Sequence, residues 1–117
     1  MKLLESSYNL IKSGKKTIEI RLFDQKRQKL NIKDTIEFSK LPSLEQKLKV
    51  EIVALLRYNS FRDLLGDFGL EYYGCPSSYS INSFLNELYA IYPKEKEQQY
   101  GVLGIKIKLL KLGKKLA

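Results

Sequence analysis

The sequence predicts an α+β fold, a small mixed β-barrel decorated by two or three α-helices. Three observations lead there. Four segments carry the two-residue apolar alternation of strands. Apolar stripes at helical spacing occur near the N-terminus and again between Ser60 and Pro93. The span from Asp24 to Lys49 carries no helical pattern, whereas a doubly wound sheet needs helices between most successive strands. With 117 residues, no internal repeat and no linker, the chain reads as a single domain over residues 1–117, large enough to bury a core without metals or disulfides.

In chain order, Leu4, Tyr8 and Ile11 form a short helical stripe, with Lys12 in its last turn and Gly14 as its stop. A strand follows from about Lys16 to Phe23. Asp24–Lys33 is polar, crowds Lys26, Arg27 and Lys29 together, and reads as an exposed loop. Asp34–Phe38 resumes the strand period, and Lys40–Gln46, which contains Pro42, is a turn or loop. Leu48–Ile52 alternates and runs into the solid apolar stretch Val53–Leu56, so one long strand is expected, half exposed at first and covered on both faces later. Ser60 can cap a short helix carrying Phe61, Leu64 and Leu65. Gly69–Tyr79 is expected to be an ordered loop. Ser80 opens a longer helix with Ile81, Phe84, Leu85 and Leu88 on one stripe, stopped by Pro93. Lys94–Gln99 reads as polar and exposed. Tyr100–Leu110 forms the last strand, and 111–117 is expected to be a flexible basic tail.

Composition narrows the chemistry. The chain has no histidine and one cysteine, Cys75, so Ser-His-Asp and Cys-His mechanisms and Cys/His zinc sites cannot be assembled. Neither the Gly-x-x-x-x-Gly-Lys-Ser/Thr loop nor Gly-x-Gly-x-x-Gly occurs. The expectation is therefore no cofactor and no metal. The formal charge of +8, from 21 basic and 13 acidic residues, favours polyanionic partners, nucleic acid first. No apolar run reaches the roughly 18 residues that span a bilayer, and Leu3-Leu4 is too short for a signal peptide; a soluble cytoplasmic protein is expected.

The most distinctive segment is Gly14-Lys15-Lys16-Thr17-Ile18-Glu19-Ile20-Arg21. In a regular strand Ile18, Ile20 and Leu22 share one face, and Thr17, Glu19 and Arg21 share the other. An anion, a cation and a hydroxyl lined up with two lysines at the mouth read as a binding surface. Glu19 and Arg21 can pair with each other or divide tasks. The carboxylate would accept from a base's amino group and the guanidinium would grip a phosphate or carbonyl. Lys16 and Glu19 are an odd number of residues apart, so a joint site needs a twist or bulge near Lys16.

That segment resembles the signature of the ASCH domain family, approximately Gly-x-Lys-x-x-Glu-x-Arg. Tyr92-Pro93, the polar spacer and Tyr100-Gly101-Val102-Leu103-Gly104-Ile105 resemble the family's closing segment, and Asn59-Ser60-Phe61 fits its helix start. Where the family usually has Gly-Asp at a turn, this chain has Lys33-Asp34. The resemblance implies a PUA-like β-barrel with a central cleft, in a superfamily that mostly binds RNA. Some members resemble small amidohydrolases that deacylate N4-acetylcytidine with a lysine, a threonine and a glutamate. The lysine falls on Lys16, the threonine position holds Glu19, and Glu71 is the nearest acidic residue where the glutamate would lie.

Two functions follow. The favoured one is an RNA- or nucleotide-binding module with a charged cleft formed by Lys15, Lys16, Thr17, Glu19, Arg21 and Tyr100. The alternative is an amidohydrolase acting on an acylated nucleoside, with Lys16 catalytic and Glu19 or Glu71 assisting. Tyr72, Tyr73 and Tyr79 either stack on bases or pin their loop to the barrel. Cys75 is expected to be inert.

Overall fold

Five strands form one curled sheet, a half-barrel, in a computed structural model that describes residues 1–110. They are β1 (Lys2–Leu3), β2 (Ile18–Leu22), β3 (Thr35–Lys40), β4 (Lys47–Tyr58) and β5 (Val102–Leu109), in the spatial order β1-β3-β4-β5-β2. β1 pairs parallel to β3, and the remaining neighbours are antiparallel. β1 was not expected, because two residues are too short to display a period. The tail expected over 111–117 lies outside the described residues.

β4 is the spine of the sheet. It pairs with β3 through its first half and with β5 along most of its length. The register slips between Ile52 and Ala54, and the inserted residue, Val53, forms a bulge that bends the strand. The bulge corrects the expectation of a stretch covered on both faces. Val53 turns outward and is 40% exposed, while Ala54, Leu55 and Leu56 are only half-buried. Leu55 packs against the inner core and Leu56 against a second, outer one.

The inner core fills the concave side of the sheet with Phe38, Leu48, Val50, Ile52, Leu103 and Ile105, and it is plugged at one end by Tyr8 and Ile11 of α1 (Glu5–Lys12). Gly14 takes φ +81°, the left-handed conformation that lets the chain leave α1 and turn into β2. The outer core lies under α2 (Phe61–Asp67) and α3 (Ile81–Ile91). There Phe61, Leu64, Leu65, Leu85 and Leu88 meet Ile18, Ile20 and Leu22. Ser60 and Ser80 cap these helices by accepting from the backbone N–H of Asp63 and Ser83 at 3.1 and 3.0 Å.

Lys94–Tyr100 forms α4, a fourth helix where an exposed polar connection was expected. Pro93 sits at its N-cap, Glu95 and Glu97 lie in the first turn where helix-end N–H groups favour anions, and Gly101, at φ +75°, ends it. Glu97 is buried. Its Oε2 accepts from Phe61 N at 2.8 Å, and its carboxylate also accepts from Tyr89 Oη. Seven residues of polar sequence gave no stripe to read; the helix is fixed by this buried tie to α2. Among the described residues, no helix is long and apolar enough to cross a membrane.

Candidate functional site

The curl brings the two edge strands, β1 and β2, toward each other. Arg21 Nη2 donates to the Lys2 carbonyl at 3.0 Å, so a side chain of one edge bonds the backbone of the other. The register places the charged row inward. Glu19 lies opposite Ile105 and Arg21 opposite Leu103, and directly opposed residues share a face, here the concave one. Ile18, Ile20 and Leu22 face the helices. Both faces of β2 are therefore covered, and Glu19 has a side chain only 6% exposed.

An isolated buried carboxylate would be costly, and two cations flank this one. Lys16 Nζ lies 2.7 Å from Glu19 Oε1, and Arg21 Nε donates to Oε2 at 2.7 Å. Lys16 Nζ also reaches Ser7 Oγ on α1 at 3.3 Å. The odd spacing of Lys16 and Glu19 is resolved because Lys16 precedes the regular strand. Its backbone N bonds Leu10 O, it forms a lone bridge with Tyr73, and the ladder with β5 begins at Ile18. Desolvation pushes the Glu19 carboxyl upward in pKa, but the attraction and hydrogen bonds of Lys16 and Arg21 outweigh it and hold it below its ordinary value.

A cleft of about 430 Å³ opens over this triplet, between the start of α1 on one side and α3 on the other. Lys16, Glu19 and Arg21 line it together with Ser7, Tyr73, Glu87 and Tyr92. Ser7, Glu87 and Tyr92 were not singled out from the sequence. Ser7 lies on α1, nine residues before Lys16, and Glu87 and Tyr92 lie on and just after α3, far along the chain; of these only the Tyr92-Pro93 pair carries a sequence signal. Tyr73 is pinned by a 2.7 Å bond from its hydroxyl to Phe68 O, and burial raises its phenol far above the usual range. Burial is also the first cause raising the Cys75 thiol, with Glu87 adding to it and Lys16 opposing, so little thiolate forms at neutral pH.

The other sequence-expected residues lie elsewhere. Lys15 is exposed on the turn and does not line the cleft. Thr17 joins the backbone framework, its N bonding Tyr72 O at 2.9 Å and its O accepting from Ile107 N at 2.9 Å. Glu71 is exposed in the 3-10 turn Leu70–Tyr72, outside the cleft lining. Tyr100 lines a different cleft, of about 790 Å³, with Phe23, Arg57, Tyr58 and Glu97. Tyr100 ends α4, on the far side of β2 from Lys16, so it does not join the charged triplet. Among the described residues, no group of three His, Cys, Asp or Glu side chains gathers to hold a metal.

Comparison with known proteins agrees with this architecture. The family model described as ASCH domain matches residues 1–111. The crystal structure of the hypothetical protein PH0355 is 34% identical with a TM-score of 0.81, covering 94% of this chain and 96% of that one. The solution structure of protein PF0455 from Pyrococcus furiosus is 36% identical with a TM-score of 0.70, covering 96% of this chain and 100% of that one. No curated protein matches.

Proposed function

The chain belongs to the ASCH domain family, and from that premise we propose that it binds RNA or a nucleotide through the cleft over Lys16, Glu19 and Arg21. The observation that carries this reading is the Glu19 carboxylate, ionised, buried and held between two cations at the floor of a cleft of about 430 Å³. That volume falls in the range of small-ligand sites, roughly 300–1,000 Å³. A carboxylate fixed by two partners keeps lone pairs for a base's exocyclic amino group. Lys16 and Arg21 supply donors for a ring carbonyl or a phosphate. Tyr92 and Phe84 give the walls aromatic surface.

Binding is favoured over hydrolysis because both Glu19 oxygens are already engaged, Oε1 by Lys16 and Oε2 by Arg21. N4-acetylcytidine is expected to remain intact. Turnover by the wild type that Lys16→Ala abolishes would reverse this preference.

The binding test is an NMR titration of the ¹⁵N-labelled protein with cytidine and a short oligoribonucleotide at low and moderate salt. Amides of Lys16, Glu19, Arg21 and Tyr92 are expected to shift. RNA affinity is expected to fall steeply with salt, and Arg21→Ala should weaken binding about tenfold or more. A spectrum unmoved by RNA at low salt would sink the proposal.

A further inference from the structure

Arg21 is a wall shared by two clefts. On its other side lies a second hollow, also about 430 Å³, lined by Lys2, Arg21, Lys26, Arg27 and Ser39 and, among the described residues, by none that bears a carboxylate. We infer that this second cleft is a phosphate site for the ligand whose base occupies the first, so that the protein takes phosphorylated nucleotides or RNA in preference to free nucleosides. The inference rests on the nucleotide reading above and deepens it.

Two features separate this cluster from an ordinary solvated basic surface. The first is that its guanidiniums are withdrawn from water, with side chains 14% exposed at Arg21 and 16% at Arg27. Buried cations are normally matched by carboxylates. Here Arg21 shares the Glu19 carboxylate with Lys16, and Arg27 has Asp24 through Nη1 at 3.2 Å. The two lining lysines, Lys2 and Lys26, are exposed.

The second feature is Arg27 Nε, a buried donor with no hydrogen-bond partner among the described residues. Buried N–H groups are almost always satisfied, so an orphan on a residue that lines this hollow calls for an acceptor. A phosphate presents several acceptor oxygens to planar guanidiniums, and lysines add point charge. The two clefts adjoin, because Lys2 and Arg21 line both. The start of the 3-10 turn Arg27–Lys29 is tied down, because Asp24 Oδ1 accepts from Arg27 N at 3.1 Å. The anion acceptor would thus be met by a fixed group.

The test compares cytidine, cytidine 3′- and 5′-monophosphate and inorganic phosphate on the full chain, reading affinity and the Arg Nε–H signals by NMR. Inorganic phosphate is expected to move the Arg27 Nε–H resonance. One of the monophosphates should bind about tenfold tighter than cytidine at low salt. Lys26→Gln, an exposed substitution, should reduce that preference at least about threefold. Cytidine binding with no preference for either monophosphate, and an unmoved Arg27 signal, would overturn the phosphate site while leaving the nucleoside cleft standing. Phosphate moving the Arg27 signal without any cytidine binding would keep the phosphate site and overturn the nucleoside reading. No response to any of the four would overturn both.

Discussion

Lys16 Nζ stands 2.7 Å from Glu19 Oε1 although the two residues lie an odd number apart, a spacing that sends regular strand side chains to opposite faces. The contact exists because the chain enters the ladder only at Ile18, leaving Lys16 on the bridge to Tyr73 and free to turn toward the concave side. The carboxylate then stands between two partly buried cations. Glu19→Gln keeps the shape and removes the charge, leaving Lys16 and Arg21 to repel one another. Breaking a buried pair costs about 3–5 kcal/mol, and the adjoining cleft admits water, so a loss near 2–3 kcal/mol is expected in urea unfolding. A loss under about 0.5 kcal/mol would mean that the triplet behaves as a surface network.

The same triplet sets a pH dependence. Glu19 has a folded pKa below its ordinary value of 4.5. The native state therefore binds the proton less readily than the unfolded chain does. The stability it contributes is fully present above about pH 4.5 and drains away as pH falls through the lower folded value. Unfolding free energy measured from pH 6 downward should decline in the acid range, and Glu19→Gln should flatten part of that decline. Parallel curves for the two proteins would contradict the assignment.

Glu97 makes a comparable tie on the opposite side of the sheet. Its carboxylate accepts from the first backbone N–H of α2 and from Tyr89 Oη, so it joins α4, α2 and α3 at one point. Glu97→Ala leaves Phe61 N without its acceptor in a buried place. A cost of about 2–3 kcal/mol follows from an orphaned donor together with a lost charge-assisted bond. Amide exchange should accelerate first in α2, and uniform acceleration throughout the protein would count against a local role.

Much of this architecture is written in local sequence. The glycine stop after α1, the alternation of Ile18, Ile20 and Leu22, and the capping serines at 60 and 80 each act within one turn or one strand, so pattern alone exposes them. The inward direction of Glu19 and Arg21 is different. An alternating strand of a half-barrel with helices outside buries both faces, and nothing in β2 says which face the curl encloses. Burial of Glu97 is equally invisible, because the N–H that compensates it belongs to Phe61, 36 positions away. The cleft is likewise assembled from α1, β2 and α3, so Ser7 and Glu87 acquire a place in it only through tertiary structure.

Lys33 gives a prediction that links sequence and backbone directly. It occupies the turn position where a glycine would be expected from the family's pattern, and its φ is +79°. Its N–H donates to Ile52 O at 2.8 Å, and Asp34 O accepts from Ile52 N at 2.9 Å, so the turn is locked to the spine strand and cannot relax. An L side chain held in the left-handed region costs roughly 1–2 kcal/mol, part of which glycine's greater freedom in the unfolded chain would offset. Lys33→Gly should therefore stabilise the protein by about 0.5–1 kcal/mol, a rise in Tm of about 2–4 °C for a domain of this size. Lys33→Ala, which keeps the Cβ and removes the charged chain beyond it, should give no such gain. Equal stabilisation by both substitutions would assign the effect to relief of positive charge, and the backbone explanation would fail.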